Sequence, residues 1–407
     1  MADRDLGERI DILFALAGAR AASGDVGGAS RGYRAVLELD PAHAEALHRL
    51  GNLQREDGDA GTAIRLLSRS LATRPGHAHT LNNLGGAYRD AGKPGLAYLA
   101  LSAAADAMPG DARVWVNLGA TLIELRRYGE AADALHEAVS LDPACDEGHH
   151  LLASALYRLH LGGAAEDAVH RARAWLAACP EAPLPQHSLA ALGGEPPPPA
   201  ASTDWVRAVF DRFGPSFDTH LRALSYGVPA RIGELARGGP MAGGARVLDL
   251  GCGTGLCGEH LRPLARHLAG VDLSRGMLAR AWAKGLYDRL VEGDIVNFLE
   301  DQPARTWDLI VAADVFIYVG DLVPLLRPLS SALGARGRFL FSIEAAGGGA
   351  AEHGYELHAS GRYRHAEAHV RRIIAGHGLV VDHVEDTTVR MERGVPVTGW
   401  IFAASKP

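Results

Sequence analysis

The chain has 407 residues, 47% of them hydrophobic, and carries 41 lysines and arginines against 48 aspartates and glutamates, a formal charge of −7. That balance leaves no basic field for duplex nucleic acid. No apolar run reaches membrane-spanning length, the start MADRDLGERI is too charged for a secretion signal, and Cys145, Cys179, Cys252 and Cys257 form no paired framework, so a cytoplasmic, reduced protein of two or three domains is expected.

Residues 1–180 read as helix throughout and are periodic. Pro41, Pro75, Pro109 and Pro143 recur every 34 residues; the same interval joins Leu50, Leu84 and Leu118, each followed by glycine, and Ala29, Ala63, Ala97, Ala131 and Ala165. Small residues at a fixed interval let two helices approach, and proline ends the second. The pattern resembles the tetratricopeptide repeat, with four units from about Ile10 to Pro143 and a degenerate fifth, 145–180, whose glycine is replaced by Ala153 as befits a capping unit. The resemblance implies an all-α superhelix whose inner groove recruits a peptide or protein, with Asn83 and Asn117 as candidates for holding a guest backbone. Arg49, Arg55 and Arg89 would lend that groove positive charge. Solvation of the groove, docking on the rest of the chain and self-association into a homo-oligomer are the competing roles.

Residues 181–202 follow, with four consecutive prolines at 196–199. Such a run favours an extended, semi-rigid spacer between two separate cores. Beyond it, 203–240 reads as helices capping a domain that extends from 203 to 407.

That domain opens on VLDLGCGTG, 247–255, a buried strand running into a turn of alternating glycines, Gly251, Gly253 and Gly255. Further strands end in acids: HLAGVDLS at Asp272, RLVEGD at Asp294, and WDLIVAADVFIYV at Asp314. A fifth strand at 337–345, a helix at 365–378 and a hairpin turning at Glu392, Arg393 and Gly394 complete the series. Ligands of doubly wound sheets sit at the carboxyl ends of strands, where these acids fall. The order and the G-x-G-x-G spacing resemble class I S-adenosylmethionine-dependent methyltransferases. The fold so implied is a Rossmann-like seven-stranded α/β domain with a C-terminal β-hairpin, behind the all-α array.

The same resemblance implies an S-adenosyl-L-methionine site built from Asp249, Gly251, Cys252, Gly253, Gly255, Asp272, Leu273, Met277, Asp294, Ile295, Asp314 and Phe316. In it Asp272 would meet the ribose hydroxyls, and Asp294 with Ile295 the adenine. Phe210, Asp211, Phe217, Asp218, His220 and Tyr226, with SGRYRHAEAHV (360–370) and the ending GVPVTGWIFAASKP, are further similar to bacterial methyltransferases that carry tetratricopeptide repeats. Phe217, Tyr226, Tyr355, Arg362 and Tyr363 are candidates for the acceptor wall. His365, His220 and Asp314 are the candidate bases, and the sequence does not choose among them. His365 and His369 stand four apart, yet no His-Glu-x-x-His pattern is present and a sulfonium methyl needs no Lewis acid, so no metal is expected. The reading is methyl transfer to an unidentified acceptor, which is the recruited peptide or protein itself or, alternatively, a small molecule, with the repeats serving assembly. A non-catalytic scaffold is the third reading, and the intact glycines and acids weigh against it.

Overall fold

A computed structural model describes residues 2–213, 217–238, 244–347, 353–392 and 394–407. The chain divides into two compact units, Met1–Pro185 and Gln186–Pro407. In the first, helices come in pairs. Ala44–Glu56 with Ala60–Thr73, Ala78–Asp90 with Pro94–Ala107, and Ala112–Glu124 with Tyr128–Leu141 begin 34 residues apart; Ala2–Ala22 with Val26–Leu39 precede them, and Asp146–Leu161 with Ala165–Ala178 follow. Each of the middle second helices stops two residues short of its proline, because the residue before proline is driven out of the helical region. The small residues have the role the period implies. A Cβ on Gly119 would stand 2.4 Å from Cγ of the fully buried Leu135, so only glycine lets the two helices of that pair close.

The second unit is a seven-stranded sheet. Its strands are β1 (Ala245–Leu250), β2 (Ala265–Asp272), β3 (Arg289–Glu292), β4 (Trp307–Ala312), β5 (Leu333–Glu344), β6 (Val380–Glu392) and β7 (Val395–Ser405), in the order β3-β2-β1-β4-β5-β7-β6. Strands β1 to β5 are parallel, and β7 runs antiparallel to both β5 and β6. Both faces are covered, which is why the central strands read as unbroken apolar runs. On one face Leu248, Ile310, Phe339 and Phe341 pack with Leu325 and Leu329 of helix Val323–Ala332 and Ile374 of helix Glu367–Gly376. On the other, Val247, Leu309, Leu340 and Ile401 pack with Ile232 of helix Val228–Arg237 and with Leu278 and Ala281 of helix Arg275–Ala283. The strand order reverses between β1 and β4, and a crevice opens there at the carboxyl ends. Helices Thr203–Phe213 and Phe217–Ala223 precede the sheet, and the small hairpin of Tyr355–Leu357 and Tyr363–His365 follows β5.

The Pro-rich stretch differs from the spacer expected of it. Pro183–Ala191 is helical, and the prolines beyond it belong to the second unit and bond to its other elements. The Pro198 carbonyl accepts from the Tyr363 hydroxyl (2.8 Å), the Pro199 carbonyl accepts from the Gly320 and Asp321 N–H groups (2.8 Å each), and Ala201 N–H donates to the Tyr318 carbonyl (2.9 Å). Proline lacks a donor but keeps a strong acceptor, and here those acceptors are used.

Candidate functional site

Strand β1 delivers the chain at Leu250 to a turn that is left-handed at Gly251 and Gly253, with φ of 61° and 53°. A Cβ on Gly253 would meet nothing within 4 Å. The glycine therefore meets a conformational need and leaves its open side to a cavity. Asp272, the last residue of β2, is pinned to the same turn: one carboxylate oxygen accepts from Gly253 N–H (2.9 Å) and the other from Ser274 N–H (2.8 Å). A carboxylate has about four lone-pair positions, so further acceptor capacity remains for a vicinal diol. Burial raises the Asp272 pKa. After β3, Asp294 caps helix Ile295–Glu300, its Oδ1 accepting from the N–H groups of Val296 (2.9 Å) and Asn297 (3.0 Å), which leaves Oδ2 without a partner from that helix.

Two cavities adjoin here. One, of about 270 Å³, is walled by Asp272, Leu273, Asp294, Ile295 and Val315, and is closed on one side by Pro199, Ala200 and Ala201 of the proline strap. The other, of about 150 Å³, takes in Asp249, the loop from Gly251 to Thr254, and Phe210, Phe217 and Tyr226 from the segment before the sheet, with Asp314, Tyr318, Arg362 and Arg390 opposite. Gly251, Asp272 and Asp314 line both. Together they suit an extended ligand with a flat apolar group, a diol and a polar tail, in the size range of small-molecule sites. The helices before the sheet are fastened to the loops: Asp211 accepts from the Ser274 hydroxyl (2.5 Å), and Asp218 accepts from the Thr254 hydroxyl (2.5 Å) and pairs with Lys284 (3.0 Å).

Two carboxyl groups in the smaller cavity are raised above the usual carboxylate range. Burial pushes Asp249 up to about 7, although the Tyr287 hydroxyl donates to it at 2.6 Å and works in the other direction. Burial likewise pushes Asp314 up to about 6, with Arg390 and Arg362 opposing and Glu344 assisting. Asp314 has a left-handed backbone, φ 54°, uncommon for a residue with a Cβ. It is held there by its own N–H, which donates to the Ser342 hydroxyl at 2.9 Å.

Residues 208–382 match the family model of a methyltransferase domain, and residues 88–155 match that of a tetratricopeptide repeat. The chain joins tetratricopeptide repeats to a methyltransferase domain. The human methyltransferase-like protein 27 is 42% identical over 86 residues, 20% of this chain and 34% of that protein. The ubiquinone biosynthesis O-methyltransferase of Xylella fastidiosa is 30% identical over 137 residues, 33% of this chain and 53% of that enzyme. The chain thus spans about a third to a half of the length of these relatives. A solved S-adenosylmethionine-dependent methyltransferase from Mesorhizobium loti aligns at 24% identity and a TM-score of 0.35, covering 42% of this chain and 96% of that one.

Within the methyltransferase domain the two cavities bring together Asp249, Gly251, Cys252, Gly253, Asp272, Leu273, Asp294, Ile295 and Asp314, and also Phe217, Tyr226 and Arg362. Others of the sequence candidates stand apart from the walls. Gly255 sits against Tyr287 and Ala281, and Met277 is fully buried in its helix. Phe316 turns into the core against Phe339 and Phe341, and its neighbours Val315 and Ile317 line the cavities instead. Tyr355 and Tyr363 pack on each other in the small hairpin, and the Tyr363 hydroxyl is spent on Pro198. His365 is fully buried outside both cavities, burial lowers it to about 4, and its Nε2 is in hydrogen-bond contact with the Phe316 carbonyl at 3.1 Å, so it packs the hairpin and reaches no acceptor. The His220 side chain lies outside the described residues. Among the described residues no cluster of three metal-ligating side chains occurs.

Sequence reasoning missed Arg390, Glu344, Ser342 and Tyr318. A charged residue in the middle of an otherwise plain hairpin strand, Arg390 with Glu392 two positions on, was the available signal. In the array, Asn117 donates to the Asn82 side chain at 2.9 Å, and Asn83 is half-buried on the same helix as Asn82. The positive groove does not form. Arg49 pairs with Glu45, Arg55 with Asp90 and Arg89 with Glu124, the last two across successive repeats where a 35-residue offset sets opposite charges side by side.

Proposed function

We propose that the protein transfers a methyl group from S-adenosylmethionine to a hydroxyl oxygen, with Asp314 receiving the proton, and that the repeat array recruits the peptide or protein that bears or brings the acceptor. The observation that carries the catalytic part is Asp314 itself, a carboxyl with 17% of its side chain exposed, raised to about 6 by desolvation, on the wall shared by both cavities. A general base works best when its pKa lies near the working pH. When bound, S-adenosylmethionine supplies an activated methyl on a sulfonium centre.

The chain's own residues do the rest. Gly251 and Gly253 give the tail of the cofactor room against bare backbone, Asp272 is placed to accept from the ribose hydroxyls, and Asp294 with Ile295 to meet the adenine. Ser342 holds Asp314 at two points, its hydroxyl accepting from the Asp314 N–H at 2.9 Å and donating to Oδ1 at 3.3 Å, which orients the carboxyl. Phe210, Phe217 and Tyr226 exclude water from the acceptor side. Oxygen as the methylated atom is supported by the name of the Xylella relative, an O-methyltransferase. The enclosed, largely apolar form of the smaller cavity also favours a second reading, a small-molecule acceptor with the repeats used for assembly.

The test is incubation of the full-length protein and of its second unit alone with cell extract and S-adenosylmethionine, followed by mass spectrometry for an added methyl, about 14 Da. Under the recruitment reading the full chain methylates at low acceptor concentration and the second unit only at high concentration, since tethering acts through effective concentration. Equal kcat/KM for the two would remove the array from substrate delivery. Absence of any methylated product would remove the enzyme.

A further inference from the structure

The smaller cavity ends on charge. Cofactor residues come from the loops after β1, β2 and β3, whereas Glu344 at the end of β5, Arg362 in the hairpin that follows and Arg390 on β6 stand on the other side of β4, on the acceptor's side of Asp314. Arg390 is fully committed. Its Nη2 donates to Glu344 at 2.5 Å, its Nε to Glu392 at 2.8 Å, and its Nη1 approaches Asp314 at 3.5 Å, with the residue only 2% exposed. A buried guanidinium with three carboxylate partners is a strut.

Arg362 is different. Its Nη1 shares the Glu392 oxygen already used by Arg390, and among the described residues Nε and Nη2 have no partner. The side chain is 29% exposed and lines the cavity. It is absent from the walls of the larger cavity. In the ion-paired cluster Arg362, Arg364 and Arg390 face Asp314, Glu344 and Glu392, while Asp249 and Asp272 line the same cavity toward the glycine loop. With Asp314 as the proton acceptor, the proton it takes removes one negative charge from the ion-paired cluster that holds this unpartnered guanidinium.

We infer that the acceptor is an anion: a hydroxylated molecule with an apolar body and one carboxylate, seated on the Nε and Nη2 edge of Arg362 with its hydroxyl toward Asp314. This rests on the methyl-transfer reading above. The planar fork of a guanidinium matches a carboxylate in two parallel hydrogen bonds, and such charge-assisted pairs are the strong ones. A dianion such as a phosphate monoester is disfavoured, because Glu344 and Glu392 stand beside the same edge. The apolar lining contributed by Phe217, Leu221 and Leu224 suits a ring or short alkyl body.

The test is calorimetric, on full-length protein saturated with S-adenosylhomocysteine, so that the cofactor half is filled and no turnover is needed. The probes are 3-hydroxybenzoate and 10-hydroxydecanoate, each against its primary amide. At least one acid should bind tenfold or more tightly than its amide in the wild type. Arg362→Gln should bring that ratio to about one, and Arg362→Lys should restore part of it. S-adenosylhomocysteine affinity should be the same in all three proteins. Equal binding of acid and amide in the wild type, no binding by either acid, or a ratio that survives in Arg362→Gln overturns the inference. Lost S-adenosylhomocysteine affinity in Arg362→Gln also overturns it, by assigning Arg362 to the cofactor. Wild-type protein that binds no S-adenosylhomocysteine at all instead strikes the methyl-transfer reading beneath it.

Discussion

The two halves of the cleft are built from different material. On the side of β1, β2 and β3 the ligand would meet glycine backbone and acids at strand ends, each within a few residues of the strand that positions it. On the side of β4, β5 and β6 it would meet a cluster of side chains, Asp314, Glu344, Arg362, Arg390 and Glu392, drawn from segments up to 78 residues apart and closed by mutual ion pairs. The first half is a local device with a fixed shape. The second is a charge arrangement around a carboxyl raised to about 6, so the two should fail in different ways when broken.

The largest effect is expected on the local side. Gly253→Val places a branched side chain in the space that now holds no protein atom within 4 Å, at a φ of 53° that valine does not tolerate. S-adenosylmethionine binding should fall by more than 100-fold by calorimetry, while the helical signal of the array persists in circular dichroism. Wild-type affinity in this variant would reduce the loop to a steric turn.

That half was legible in the sequence for a physical reason. A strand, a glycine turn and a terminal acid are contiguous, so pattern and geometry coincide at Gly251, Gly253 and Asp272. The repeats were legible for the same reason, since a 34-residue period is a property of adjacent helices. The acceptor half was not. Arg390 and Glu344 meet only because β7 lies between β5 and β6 in the sheet, and nothing local to either residue announces that neighbour. Phe316 and His365 were misplaced by one turn of chain: a short helix after β4 sends Phe316 inward, and the hairpin buries His365, although both lie within a few residues of groups that do line the cleft.

A smaller effect, on rate, is expected from the charged side. Asparagine accepts a left-handed backbone better than most residues, so Asp314→Asn should fold with the wild-type geometry and lose the base. On an identified acceptor kcat should fall by about 10²-fold or more. The pH dependence gives the sign. A base is active when ionised; with its pKa raised to about 6 by burial and Glu344 against the pull of Arg390 and Arg362, wild-type kcat/KM should drop about tenfold per unit below pH 6 and level above pH 7. The asparagine variant should lack that acid limb. A profile that keeps the limb assigns the base elsewhere and breaks the contrast between a fixed half and a titrating one.

The smallest effect concerns the strap that walls the cofactor side, and it separates a spacer from a structural part. Tyr363 was a candidate for touching the acceptor, yet its hydroxyl donates to the Pro198 carbonyl at 2.8 Å, and the next carbonyl, of Pro199, receives two N–H groups from the turn before helix Val323–Ala332. Tyr363→Phe removes one hydrogen bond and leaves the ring. If the prolines are a working wall, the cost should be about 0.5–1.5 kcal/mol, read as a fall in Tm of about 1–6 °C for a unit of this size. S-adenosylmethionine affinity should weaken by a few-fold at most, because Pro199, Ala200 and Ala201 line the larger cavity and are held by the remaining bonds. On an identified acceptor kcat should be unchanged, since the hydroxyl faces the strap and no part of Tyr363 lines the smaller cavity. A variant with wild-type Tm and a reduced kcat would reverse the assignment, returning Tyr363 to the acceptor and the prolines to a spacer.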